Sequence, residues 1–176
     1  GLEYVLNNFR EEFGDNDLII VPDAGEPVGN TIEVSEKSIM WIQFSIKGKQ
    51  CHASTPQHGI NAHRAAAHLV VELDKLYDIF PERDELYDPP ISTFEPTKKE
   101  ANVPNINTIP AEDVFCLDCR IFLSYSFAQV DETIQKIVDG IKEKFKVDIE
   151  LTYPQREEAA PPTAADAPVV LALASA

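Results

Sequence analysis

Between residues 38 and 153 the spacing of the apolar residues changes in a fixed order, and that order leaves few folds open. From 38 to 47, Met40, Ile42, Phe44 and Ile46 alternate with Gln43, Ser45 and Lys47, as in a strand buried on one face. From 59 to 80, Ala62, Ala66, Leu69, Val70, Leu73, Leu76, Tyr77 and Phe80 recur every three or four residues. That spacing predicts an amphipathic helix, closed by Pro81. Residues 91–95 read as a short strand, and the flanking Pro89, Pro90 and Pro96 place it at a sheet edge. Alternation returns over 113–123 with Phe115, Leu117, Cys119, Ile121 and Leu123 on one face. Ser126 and Gln129 have capping-box spacing ahead of a helical stripe of Val130, Ile134, Ile137, Val138, Ile141 and Phe145. Val147, Ile149, Leu151 and Tyr153 then form a last strand. The order β-α-β-β-α-β predicts an α+β, ferredoxin-like sandwich: a four-stranded antiparallel sheet with two helices on one face.

The two ends do not share that pattern. Leu18, Ile19, Ile20 and Val21 form a continuous apolar run, the mark of a strand buried on both faces of a parallel sheet. The tail "APVVLALASA" is equally apolar. Both read as pieces of a larger α/β domain, so the expected division is 1–35, 36–156 and 157–176. A net charge of −15 disfavours nucleic acid and anionic membrane surfaces as partners. Residues 1–20 lack the basic start and apolar block of a secretory leader. Three cysteines at unrelated spacings give no disulfide framework and favour a reducing cytoplasm.

All four histidines fall within "GKQCHASTPQHGINAHRAAAHL", residues 48–69. A pair sharing a metal on a helix should be four residues apart. His63 and His68 are five apart, about 140° around the axis. His58, His63 and His68 are therefore read as surface or capping residues. His52 differs, because it follows a strand and precedes the Ser54-Thr55-Pro56 turn, on a loop at the end of the sheet. Cys116 and Cys119 spell C-x-x-C, but on a strand they face opposite sides and do not chelate one ion.

The stretch 48–69 resembles the "G-K-x-x-H-(A/S)-x-x-P-x-x-G-x-N-A" motif of the zinc aminoacylase, succinyl-diaminopimelate desuccinylase and glutamate-carboxypeptidase family. "VPNINTIPAEDVFCLDCRIFL" is similar to that family's "N-x-I-P" followed by a strand ending in "D-x-R". The resemblance runs in order through residues 18 to 170. It implies the ferredoxin-like lid of a zinc-dependent hydrolase of amide bonds, used for dimerisation, with overhangs of the catalytic domain on either side.

The resemblance also implies roles. His52 matches the histidine that reaches into the partner's active site and donates a hydrogen bond to the scissile carbonyl oxygen. Asn107 and Arg120 match residues that hold the carboxylate or amide groups of the substrate. A simple ion pair between Arg120 and Asp118 is the competing reading. Asp23, after the apolar run, matches a zinc-ligand carboxylate, with Glu26 as competitor. The remaining ligands of a two-zinc site would lie outside 1–176, so the isolated chain is expected to hold no zinc and to be inactive. The implied homodimer forms through strand 91–95 and helix 59–80. The implied substrate is a small carboxylate-bearing amide, an N-acyl amino acid or peptide. The alternative is a non-catalytic ferredoxin-like module that binds a small ligand or a partner. That module would have no use for a strand over 18–21 ending at Asp23.

Overall fold

The computed structural model describes residues 2–14, 17–22 and 29–175. The chain divides into two compact units, residues 35–161 and residues 1–34 with 162–176.

Residues 35–161 form the sandwich. The sheet contains β1 (Ser38–Lys47), β3 (Thr93–Lys99), β5 (Glu112–Ile121) and β6 (Asp148–Glu157), in the order β3-β5-β1-β6. All pairings are antiparallel, with Ser38 opposite Ile121 and Lys47 opposite Glu112. Two further strands, β2 (Cys51–His52) and β4 (Thr108–Ile109), pair as a small separate ribbon. The inward faces are those read from the alternation. Met40, Ile42, Phe44 and Ile46 of β1 and Phe115, Leu117, Cys119 and Ile121 of β5 are buried. Phe44 stacks on Phe115 with ring centres 4.9 Å apart. Burying side chains of this size contributes roughly 1.5–3 kcal/mol each.

The helix expected over 59–80 is two helices, α2 (Ala62–Leu73) and α3 (Lys75–Ile79). Asn61 starts α2, its side chain accepting from the Arg64 N–H. The long helix α4 (Phe127–Phe145) opens on the expected capping box: Ser126 Oγ accepts from the Gln129 N–H, and Gln129 Oε1 from the Ser126 N–H. Its buried stripe is Phe127, Val130, Ile134, Val138 and Ile141. Both α2 and α4 contact the sheet and each other, so they share one face. The edge strand runs over Thr93–Lys99 rather than 91–95. Pro96 lies inside it, which an edge tolerates because the missing N–H faces no second strand.

The other unit, residues 1–34 with 162–176, contains α1 (Leu2–Asn8) and α5 (Pro168–Ala174). Thr163 N–H donates to the Val34 carbonyl over 2.7 Å. Residues 17–22 form no strand, and Leu18 to Val21 are exposed. A strand buried on both faces needs neighbours to pair its backbone and cover its side chains. Among the described residues this run has neither. No described helix is long and apolar enough to cross a membrane.

Candidate functional site

At one end of the sheet, two loops leave β1 and α2 on one side and β3 and β5 on the other. Their bases are pinned by backbone hydrogen bonds. Lys49 and Ile60 exchange bonds of 2.8 Å in both directions, and Gly48 N–H donates to Ala111 over 2.6 Å. The backbones come so close that two positions need glycine. A Cβ on Gly48 would overlap the Ile60 carbonyl oxygen, and one on Gly59 would overlap Cys51 Sγ and come within 2.8 Å of the Lys49 oxygen. Because backbone is in the way, Gly48→Ala is expected to destabilise the protein by about 1–3 kcal/mol. Denaturant unfolding measures this, and an unchanged midpoint would mean that the pinch relaxes freely.

Above the pinch, the β2–β4 ribbon sets His52 opposite Thr108, next to Asn107. Ala53 N–H donates to the Asn107 carbonyl over 2.8 Å. The His52 ring is exposed, and its Nδ1 accepts the Ser54 backbone N–H at 3.2 Å, with Ser54 Oγ at 2.7 Å. A backbone N–H only donates, so Nδ1 carries the lone pair. The proton of the neutral ring is then on Nε2. That nitrogen faces Asn107, whose amide nitrogen lies 3.3 Å away. An Asn107 amide turned by 180° presents its oxygen to this N–H. The local sequence therefore builds an outward-pointing donor beside an amide, both on short ribbons anchored at the sheet.

Arg120 lies elsewhere. It pairs with Ile39 and Thr93 at the opposite end of β5. It is eight residues from Glu112, roughly 26 Å at the rise of a strand. Its guanidinium forks onto Asp118, with Nε to Oδ1 at 2.8 Å and Nη2 to Oδ2 at 3.2 Å. The Trp41 indole N–H also donates to Asp118, at 2.6 Å. The ion pair weighed against a substrate role for Arg120 is thus formed, on the sheet face away from the helices. Within one chain, His52 and Asn107 are together and Arg120 is apart from them.

The other named residues divide as follows. Asp23 and Glu26 lie outside the described residues. Among the described residues, no three His, Cys, Asp or Glu side chains converge into a group fit to hold a metal ion. Cys119 is buried, which pushes its thiol well above the ordinary range, while Cys116 is partly exposed on the opposite face. His68 packs its ring on Phe145 at 4.8 Å.

His63 is more than a surface residue. Its Nδ1 donates to Asp113 Oδ2 over 2.9 Å. The Asp113 side chain is fully buried and also accepts from Lys99 Nζ and, at 2.9 Å, from Asn102 Nδ2. This cluster was missed in the sequence. Its signal was an aspartate at the first inward position of an alternating strand, where an apolar residue belongs.

The chain is 47% identical over 146 residues to an uncharacterized metallohydrolase of Methanocaldococcus jannaschii, covering 82% of this chain and 36% of that protein. An uncharacterized metallohydrolase of Methanococcus maripaludis is 41% identical over 190 residues, covering all of this chain and 46% of that one. Succinyl-diaminopimelate desuccinylase 2 of Shewanella loihica is 26% identical over 124 residues, 70% of this chain and 32% of that one. The chain thus spans less than half the length of the curated relatives it matches. A tripeptidase from Staphylococcus aureus shares the fold with a TM-score of 0.58 at 19% identity, over 80% of this chain and 34% of that chain. The model of the peptidase dimerisation domain matches residues 34–148, the sandwich up to the start of β6, and the chain belongs to that family.

Proposed function

We propose that this chain is the lid and dimerisation domain of a cytoplasmic, zinc-dependent hydrolase that cleaves amide bonds in N-acyl amino acids or small peptides. It pairs with a second copy of itself and completes that copy's active site. The single observation that carries this reading is the separation of His52 and Asn107 from Arg120. One chain cannot bring both ends of β5 to one small substrate, but two chains can.

The geometry of pairing supports this. The sheet ends at β3, whose outer edge has unpaired backbone groups that template a second strand. A two-fold axis through the middle of β3 would set the Thr93 end of one copy against the Lys99 end of the other. Thr93 neighbours Arg120 in the sheet, and Lys99 lies on the His52 side. The partner's Arg120 would thereby move toward this chain's His52 and Asn107. α2 and α3 run beside the same edge. Between α2 and β3 lies a groove of about 370 Å³ lined by Ala66, Ala67, Val70, Pro96 and Phe115.

In this arrangement the His52 Nε2–H exchanges Asn107 for the carbonyl oxygen as negative charge develops there, and the Asn107 side chain is released to hold the amide of the substrate. The guanidinium of Arg120 binds the substrate carboxylate, in exchange for or alongside Asp118. Zinc, as two ions held by Asp23 or Glu26 and by ligands elsewhere in the intact protein, would supply Lewis acidity. Residues 1–35 and 157–176 would be overhangs of that catalytic domain. The metallohydrolase relatives support the metal.

The test is hydrolysis of a panel of N-acetyl and N-succinyl amino acids by the full-length protein loaded with zinc. Turnover that a chelator abolishes and zinc restores is expected, with none from residues 1–176 alone. Metal-independent turnover, or turnover by residues 1–176, would contradict the reading. Inactivity of the metal-loaded dimer on every member of the panel would favour the non-catalytic binding module instead.

A further inference from the structure

The mechanism above makes no use of Asp113, yet its carboxylate is the most completely buried charge among the described ion pairs. We propose that Asp113 is a positioning residue for the His52–Asn107 pair, holding the bases of the two loops at a fixed spacing. This rests on the reading of that pair as the functional one.

The placement of its three donors carries the argument. His63 lies on the first turn of α2, where the His52 loop ends. Lys99 is the last residue of β3, and Asn102 follows it at the start of the Asn107 loop. Asp113 itself stands on β5, just past the end of that loop. One carboxylate thus ties the exit of the first loop to the entrance and the exit of the second. Oδ1 takes the Lys99 ammonium, and Oδ2 takes both Asn102 and His63. The stretch from Ala101 to Asn105 has no helix or strand of its own. Ile106, just before Asn107, is fully exposed. Asn102 is therefore the side-chain anchor of a segment with little else to order it.

A buried ion pair replaced by an apolar residue of similar volume is often neutral or stabilising, so the role assigned to this charge is to fix one arrangement of the loops. An apolar residue here would extend the stripe of Phe115, Leu117 and Cys119, but it would release the loops. Lys99 and His63 are themselves 47% and 54% exposed and turn to water when the carboxylate is removed. The loss is then local.

The experiment uses the full-length protein carrying Asp113→Leu or Asp113→Asn, with hydrogen exchange followed by mass spectrometry. Peptides covering 48–61 and 100–111 are expected to exchange about tenfold faster or more, while those from α4 and β6 stay within about twofold of wild type. Lys99→Met should reproduce part of the effect, and Lys99→Arg should not. If every lid peptide accelerates together, Asp113 is a general stabiliser; if the loops are unchanged, they do not depend on it. Either result overturns the proposal. Exchange is read without substrate, so it stands apart from the hydrolase reading. On an N-acetyl or N-succinyl amino acid that the wild-type protein turns over, kcat should fall about tenfold with KM within about twofold. Loosened loops with unchanged kcat would also overturn positioning.

Discussion

In the full-length protein, His52→Ala is expected to lower kcat by roughly 10²–10³, with a much smaller change in KM. The magnitude is that of removing one preorganised donor from a developing oxyanion, about 3–4 kcal/mol of barrier. The free chain supports such preorganisation: the Ser54 backbone N–H holds the Nδ1 lone pair, which leaves the ring proton on Nε2, beside the Asn107 side chain. Because the carbonyl oxygen gains charge only as water adds to the carbonyl carbon, the interaction is stronger in the transition state than with bound substrate. That is the condition for a loss in kcat rather than in affinity. Steady-state kinetics checks this. A mutant with wild-type kcat would remove His52 from the reaction.

Thr97→Pro is expected to convert the dimer to monomer at micromolar concentration and to remove nearly all activity without unfolding the lid. The register between β3 and β5 breaks between Pro96 and Lys99, so Thr97 takes no part in the ladder within the chain. Proline there fixes φ and removes a backbone donor from the edge strand that a second copy would pair with. A site assembled from two chains then cannot form, so activity and dimer fall together. Sedimentation velocity and thermal melting of the same sample separate the outcomes. A dimer that survives the substitution would place the interface elsewhere. An active monomer would end the account of a shared site.

Much of the sandwich was legible because its signals are periodic. The alternation at Met40, Ile42, Phe44 and Ile46 named the inward face of β1 residue by residue, and Ser126 with Gln129 marked the start of α4. What could not be read was set by contacts distant in sequence. The break at Asp74 interrupts a helix whose stripe of Leu69, Leu73 and Leu76 continues across it undisturbed. The β2–β4 ribbon is two residues wide and has no period to detect. The run at Leu18 to Val21 has the composition of a buried strand but no partner among the described residues, and composition alone makes no sheet. At the site, His52, Asn107 and Arg120 came from motif resemblance. Their grouping, two together and one at the far end of β5, is a product of register. The Asp113 cluster joins residues 14, 11 and 50 positions apart, a proximity that only the fold creates.

Each active site is proposed to draw His52 from one subunit and Arg120 from the other. The most direct measurement is complementation between two inactive full-length variants, His52→Ala and Arg120→Ala, dissociated, mixed and reassociated. In a mixed dimer of this kind, one site would carry both substitutions and the other neither. With random re-pairing half of the dimers are mixed and each has one intact site, so about a quarter of wild-type activity should return. If the two residues served the same site from the same chain, every site would lack one of them, and the mixture would stay as inactive as its parents.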